Sequence, residues 1–544
     1  MNGPTQHQAR TMNSRSRRRS SELPRGKPPG HGALKRLGNA RGSWVLMFWL
    51  AAVAAVGLWA RPVPGWGPAL GAALSPALVP ALGPALGPGL EAVLGERLGG
   101  LRPSFLRACP ERAPLTRLEG WADAPVELVA SAARGRPPGF GATVSFVAAS
   151  PWGPGLVVGA PAGVAVGGGG LVLGAVRGGN GGRWRVGGPA SWWRGPSEGS
   201  GVPGPMAPPR GDDEQGRALA SAGGWTALGA PSARVGEAQT GAVTLAYARP
   251  GEGLGTITQV LQAPPGTAGG GFGTALAFLE VGGEPTVLAV GAPFEADPET
   301  GRPVVGAVHL FEQIGGAGDA AHARWGLVQT VRPGSPGVGM SFGAALAWVD
   351  GHLAIGAPGH GSLAPGAGSV VGVSRSGDRL WSLRSSEAGA RFGATLCSLP
   401  VAWGSGRPGL AVAAVGRGVV HVYDLVAIGP REVMTLRGRP GGGFGLTLAA
   451  IAGQLLVGAP FEGAGGAPLA GHVQRFDASQ GTVAVETLSA PSPTIGGEFG
   501  ASLAVSRGRG GVHRLAVGEP GSHHGCTSAS STCRPGRVAV FVLP

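Results

Sequence analysis

Seven times along this chain an aromatic-glycine start is followed, 14 to about 21 residues later, by Gly-Ala-Pro or a worn version of it. The clear starts are Phe140-Gly141, Phe272-Gly273, Phe342-Gly343, Phe392-Gly393, Phe444-Gly445 and Phe499-Gly500, with Gln215-Gly216 as a degenerate seventh. Their partners are Gly159-Ala160-Pro161, Gly229-Ala230-Pro231, Gly291-Ala292-Pro293, Gly356-Ala357-Pro358, Gly458-Ala459-Pro460 and Gly518-Glu519-Pro520; the fifth unit has only Ala413-Ala414-Val415-Gly416. A repeat of about 60 residues implies stacked units or propeller blades rather than one ordinary domain.

Each unit reads as four short strands. An apolar run follows the Phe-Gly (Thr274 to Leu279), and a second leads into the Gly-Ala-Pro (Thr286 to Val290). A third opens on glycine, as at Gly306-Ala307-Val308-His309-Leu310-Phe311, and a fourth precedes the next start, as at Trp325 to Val331. Runs this short, without a sustained 3.6-residue period, are strands, and four per unit make a propeller blade. Gly and Ala suit the crowded inner strands, and Pro ends a strand by withholding a donor. The first two strands are expected to be apolar on both faces. The last unit has three strands before the chain stops, while Val126-Glu127-Leu128-Val129-Ala130 has no blade of its own. That segment is expected to complete the seventh blade and close the ring, removing an exposed edge.

The units resemble FG-GAP repeats, and residues 124–544 together resemble the seven-bladed β-propeller at the head of integrin α chains. The fold class expected is therefore all-β, a seven-bladed propeller of four-stranded blades. Many such repeats carry a carboxylate-rich calcium loop between the first and second strands, and calcium needs six to eight oxygen ligands. Here the loops offer only Glu280 and Glu284 around Val281-Gly282-Gly283, then Asp350-Gly351, Ala452-Gly453, and the cationic Ser506 to Gly511. No cofactor is expected, because the calcium loops of the family look replaced by short hairpins.

Net charge is +14, but residues 1–43 hold ten basic side chains against one acid, Glu22. The basicity belongs mainly to this tail, so a nucleic-acid-binding face is not expected. Residues 44–60 follow without a charge, about 26 Å as a helix, with Trp44, Trp49 and Trp59 suited to an interface. They are expected to form a signal-anchor membrane helix, with residues 1–43 cytoplasmic and the propeller lumenal or extracellular. A cleaved signal peptide, hence a secreted protein, and an organellar transit sequence remain open. Residues 61–123 read as a Pro/Ala/Gly-rich stalk, in which Pro-Ala-Leu recurs. Residues 177–213, with Trp184, Trp192 and Trp193, read as an insertion near the end of the first blade.

Cys526 and Cys533 flank a six-residue loop and would form a disulfide in an oxidising compartment. Cys397 reads as a buried thiol of an inner strand, and the pairing of Cys109 stays open. His309, His421 and His472 recur in third strands and are expected on the strand surface. Asp212-Asp213-Glu214 is expected to be solvated. No catalytic set emerges. A glycosylphosphatidylinositol-specific phospholipase D also carries FG-GAP units beside a metal-dependent catalytic domain, but residues 1–123 offer only His7 and His31. The expected function is a non-catalytic, membrane-tethered binding or adhesion module for a protein or carbohydrate ligand, with a hydrolase-type site at the propeller mouth as the alternative. The resemblance places ligands on loops between second and third strands: Phe294, Glu295, Asp297, His360, Phe461, Glu462, His523 and His524.

Overall fold

A computed structural model describes residues 126–129, 140–147, 155–159, 173–177, 184–186 and most of 213–543, apart from loop segments of which 248–255, 316–322 and 523–535 are the longest. Seven four-stranded antiparallel sheets make up this region. In chain order they span residues 143–186, 218–262, 275–331, 345–384, 392–437, 447–489 and 502–543, here sheets one to seven. Sheet three shows the pattern, with strands Ala275–Val281, Glu284–Ala292, Ala307–Ile314 and Arg324–Val331 in simple meander order. The first strand of each sheet packs against the first strand of the next, and that of sheet seven packs against that of sheet one. This is a β-propeller of four-stranded blades.

The ring is closed by the early segment. Val126–Val129 pairs antiparallel with the last strand, Val126 opposite Val540 and Val129 opposite Arg537. It supplies the fourth, outermost strand of sheet seven, as its sequence position implied, and covers the edge that Arg537–Leu543 would otherwise expose.

The repeat signature is the joint between blades. In the start, the phenylalanine is the anchor: Phe140, Phe272, Phe342, Phe392, Phe444 and Phe499 are all buried, each contributing about 2–3 kcal/mol of apolar burial. Four of them meet an aromatic ring five residues past the third-strand glycine, edge to face: Phe272 on Phe311, Phe392 on Tyr423, Phe444 on Phe476 and Phe499 on Phe541. The following glycine N–H donates to the Gly-Ala-Pro glycine carbonyl of its own sheet, at 3.0 Å for Gly273 to Gly291 and 2.9 Å for Gly343 to Gly356. Gln215-Gly216 makes the same bond to Gly229 at 2.9 Å, so the degenerate start is a working one.

The Gly-Ala-Pro glycine must be glycine because the next blade lies against it. A Cβ on Gly229, Gly291, Gly356 or Gly518 would collide with the carbonyl of the glycine in the following start. The third-strand glycines Gly241, Gly306 and Gly368 would likewise collide with the backbone of the next phenylalanine. A hydroxyl two residues past the start glycine reinforces the joint: Thr447 Oγ1 donates to Gly500 O at 2.6 Å, and Ser502 Oγ to Gly141 O at 2.7 Å across the ring closure. Sheet five is worn at this point. Ala413 stands where glycine would be, the register of its own sheet shifts between Phe392 and Thr395, and Thr395 Oγ1 donates to Leu446 O at 3.0 Å rather than to Gly445 O.

Several sequence expectations need correction. Only second strands are buried throughout, as in Trp225–Ala230 and Gln454–Ala459, whereas first strands such as Ala275–Val281 are half-buried. Trp184 belongs to the fourth strand of sheet one, Trp184–Val186, rather than to an insertion. Asp213 is buried and Glu214 half-buried, held by Ser232 Oγ at 3.1 Å, so these two carboxylates are packed rather than solvated, while Asp212 lies outside the described residues. Asp350-Gly351 is the expected two-residue hairpin, with both residues at positive φ between paired Val349 and His352. Cys397 is a free thiol against the core of sheets five and six, and desolvation pushes it up to about 12. Residues 1–123, with the proposed anchor and stalk, and Cys109, Cys526 and Cys533 lie outside the described residues. Among the described residues no helix is long and apolar enough to cross a membrane.

Candidate functional site

Strand direction gathers two loop families at one end of the propeller. First strands begin there, second strands end there, third strands begin and fourth strands end. The loops from second to third strands and from fourth strands to the next blade therefore share this Phe-Gly end. Seven of the large exposed apolar side chains sit in these loops: Phe294, Val338, Leu363, Leu446, Phe461, Leu469 and Ile495. Single exposed apolar residues are ordinary; their collection in two loop families at one end is the informative point.

The loops from second to third strand share one backbone closure. The residue four places past the Gly-Ala-Pro glycine accepts the third-strand glycine N–H: Glu295 from Gly306 at 2.9 Å, His360 from Gly368 at 2.8 Å, Glu462 from Gly471 at 2.8 Å. Ala233 and Ser522 hold the same place in sheets two and seven. Three of the expected ligand residues are thus structurally equivalent, a relation the sequence spacing from the Gly-Ala-Pro already contains.

Their side chains diverge. Glu295 is 2% exposed and does not face solvent. Its carboxylate accepts from His309 Nε2 at 2.9 Å and from Arg332 Nη2 at 2.5 Å. Burial alone would raise its pKa, but these donors hold the carboxyl below its ordinary value. Glu462 is less engaged, 3.7 Å from His472 Nε2 and 3.4 Å from the Arg439 N–H. Asp297 organises its own loop, accepting from the Thr300 N–H at 3.0 Å and from the Thr300 hydroxyl, which holds its carboxyl low. Phe294 and Phe461 are 49% and 41% exposed, each with its ring edge over a glycine before the start phenylalanine, Gly271 and Gly443. His523 and His524 lie outside the described residues.

Two of the three third-strand histidines, His309 and His472, are buried rather than on the strand surface. His309 is fully buried, satisfied by Glu295 on Nε2 and by Thr330 Oγ1 at 3.0 Å on Nδ1. His472 is buried, and desolvation lowers its pKa against the opposing pull of Glu462. His421 is half-buried, 2.9 Å from Glu432 and beside Phe392. Burial becomes tolerable where each ring nitrogen has a partner. The signal missed in the sequence is the glutamate of Gly-Ala-Pro-Phe-Glu, which precedes both buried histidines.

Two clefts lie between neighbouring blades. One of about 280 Å³ joins sheets two and three, lined by Glu214, Arg217, Ser232, Gln239, Thr274 and Phe294 among others. A second of about 150 Å³ joins sheets three and four and holds His360, Arg332, Arg379 and Arg384. Among the described residues no three His, Cys, Asp or Glu side chains converge as metal ligands.

No family model matches this chain, and no curated protein matches it. Among solved structures, the crystal structure of the Saccharomyces cerevisiae Sqt1 is similar over 77% of this chain and 98% of that one, at 9% identity and a TM-score of 0.41.

Proposed function

We propose that this chain is a non-catalytic binding module: a closed ring of seven FG-GAP blades, anchored by residues 44–60 and held off the membrane by residues 61–123. Its Phe-Gly end receives a protein or carbohydrate ligand. The observation that carries this is the pair of Gly-Ala-Pro-Phe-Glu loops, where both phenylalanines stand exposed while both carboxylates turn inward. Exposed aromatic rings on a rigid backbone are the side chains from which binding hot spots are made, and propeller loops are held rigidly enough to present them.

The test has two parts. In sealed vesicles, residues 124–544 are expected to resist added protease until detergent is supplied; digestion in intact vesicles sinks the topology. Crosslinking at the cell surface or in the lumen is then compared between the natural chain and a Phe294→Ser/Phe461→Ser variant, with loss of specific crosslinked species expected. Unchanged species would remove the Phe-Gly end as the binding face. Sustained turnover on esters, phosphates or glycosides by the purified chain would replace this reading with the hydrolase one.

A further inference from the structure

The cleft between sheets three and four is unusual in its charge. Arg332 leaves the end of a fourth strand, Arg379 and Arg384 bracket the fourth strand Arg379–Arg384 of the next sheet, and His360 comes from the loop between second and third strands. Ser369 and Ser382 add hydroxyls to the same walls, and no carboxylate lines the cleft. Glu295 lies behind Arg332 and takes one of its guanidinium nitrogens, and Asp378, between the lining residues Gly377 and Arg379, accepts from the Ser374 and Ser376 hydroxyls. Two other arginines around these sheets are held: Arg375 sits 2.8 Å from Glu312, and Arg302 donates to the Pro336 carbonyl at 2.5 Å. Arg379 and Arg384 have no carboxylate within ion-pairing distance among the described residues.

Such an arrangement opposes folding on its own. Guanidinium groups cannot shed their charge, so their mutual repulsion has to be borne or relieved by an anion. The repulsion registers on His360: burial first, then Arg384 and Arg379, push its pKa below the ordinary histidine value. At neutral pH it is therefore an uncharged ring with one N–H to donate. Three guanidiniums outnumber the two carboxylates beside them, Glu295 and Asp378, so the cleft keeps a net positive charge that favours a dianion over a monoanion. The donors are planar forks and hydroxyls, the set that suits several oxygens on one tetrahedral centre. The volume accommodates one such group and the first atoms attached to it.

We infer that the cleft formed by Arg332, His360, Ser369, Arg379, Ser382 and Arg384 binds a phosphate monoester dianion. The site is separate from the exposed phenylalanines and stands or falls independently of the loop-end reading.

The full chain, purified in detergent, is titrated by calorimetry with inorganic phosphate and with glucose 6-phosphate at constant ionic strength. Glucose 6-sulfate, glucose and chloride serve as comparison ligands. Saturable binding of both phosphates is expected, with the monoanionic sulfate ester weaker and glucose and chloride silent. Arg379→Ala and Arg384→Ala are each expected to weaken phosphate binding about tenfold, while Arg375→Ala leaves it unchanged. Both altered arginines are exposed, so the unfolding temperature without phosphate should not fall. No saturable binding, undiminished binding by both Arg379→Ala and Arg384→Ala, or a sulfate ester binding as tightly as the phosphate ester would overturn the assignment.

Discussion

The loops after Gly291 and Gly458 begin with the same five residues, Gly-Ala-Pro-Phe-Glu, and teach what a repeat motif does and does not specify. Their backbones agree: both glutamate carbonyls close on the third-strand glycine, and both phenylalanine rings lie over a glycine of positive φ. Their electrostatics do not. Glu295 is locked by His309 and Arg332, whereas Glu462 has only distant partners. The histidines enter at different registers, His309 opposite Val290 and His472 opposite Ala459. The motif fixes the main chain, and residues outside it decide what the carboxylate meets.

The sharpest way to break this contrast is to remove the two carboxylates. Glu295→Ala should cost about 3 kcal/mol, because it strands a buried ring and a guanidinium. Glu462→Ala should cost under about 1 kcal/mol. Urea unfolding of both variants measures this, and equal losses would show that the loops are electrostatic twins after all. A backbone test should give the opposite pattern. Gly271→Ala and Gly443→Ala force a side chain into the left-handed region and against a phenylalanine ring. Each should lose about 1–2 kcal/mol, and a marked inequality would deny the shared loop geometry.

A smaller effect lies in pH. The Glu295 carboxyl is depressed in the folded chain, so its contribution is complete above the ordinary glutamate value and is lost as pH falls through the lower, folded value. His472 is also depressed, so the neutral ring is the one that folding favours. Its contribution is complete above the ordinary histidine value of 6.5 and declines as pH falls below it. Acid titration of stability should therefore show a histidine decline before the Glu295 one, and His472→Gln should shrink only the earlier decline, leaving the share of His360, which is depressed as well. A single decline that His472→Gln leaves unchanged would contradict the difference in partners. Least of all should Phe294→Ser and Phe461→Ser change stability, by about 0.5 kcal/mol or less at such exposed sites; a large loss by thermal unfolding would make these rings structural.

The repeat was readable because its glycines are steric requirements. Where a Cβ would strike the next blade, only glycine serves, and the spacing of those glycines displays the blades in one dimension. The closing strand was readable for a related reason, since an orphan strand and an incomplete blade imply each other. The fate of the charged side chains was hidden. Arg332 meets Glu295 from a strand whose loop partner is set by folding, and nothing near Phe294-Glu295 announces it. Likewise, an alternating strand pattern makes a histidine look like a surface residue until its two hydrogen-bond partners are in place. The left-handed residue before each start is partly visible, as glycine at Gly271 and Gly443, but Ser341, Arg391 and Glu498 adopt the same conformation without advertising it.

The pairing of Val126–Val129 with the final strand has a consequence for biosynthesis. About four hundred residues separate the two, and contacts of that span form late and slowly. Until the strand Arg537–Leu543 has been made, Val126–Val129 lacks its pairing partner and is open to wrong ones. The ring can close only once that final strand has been made.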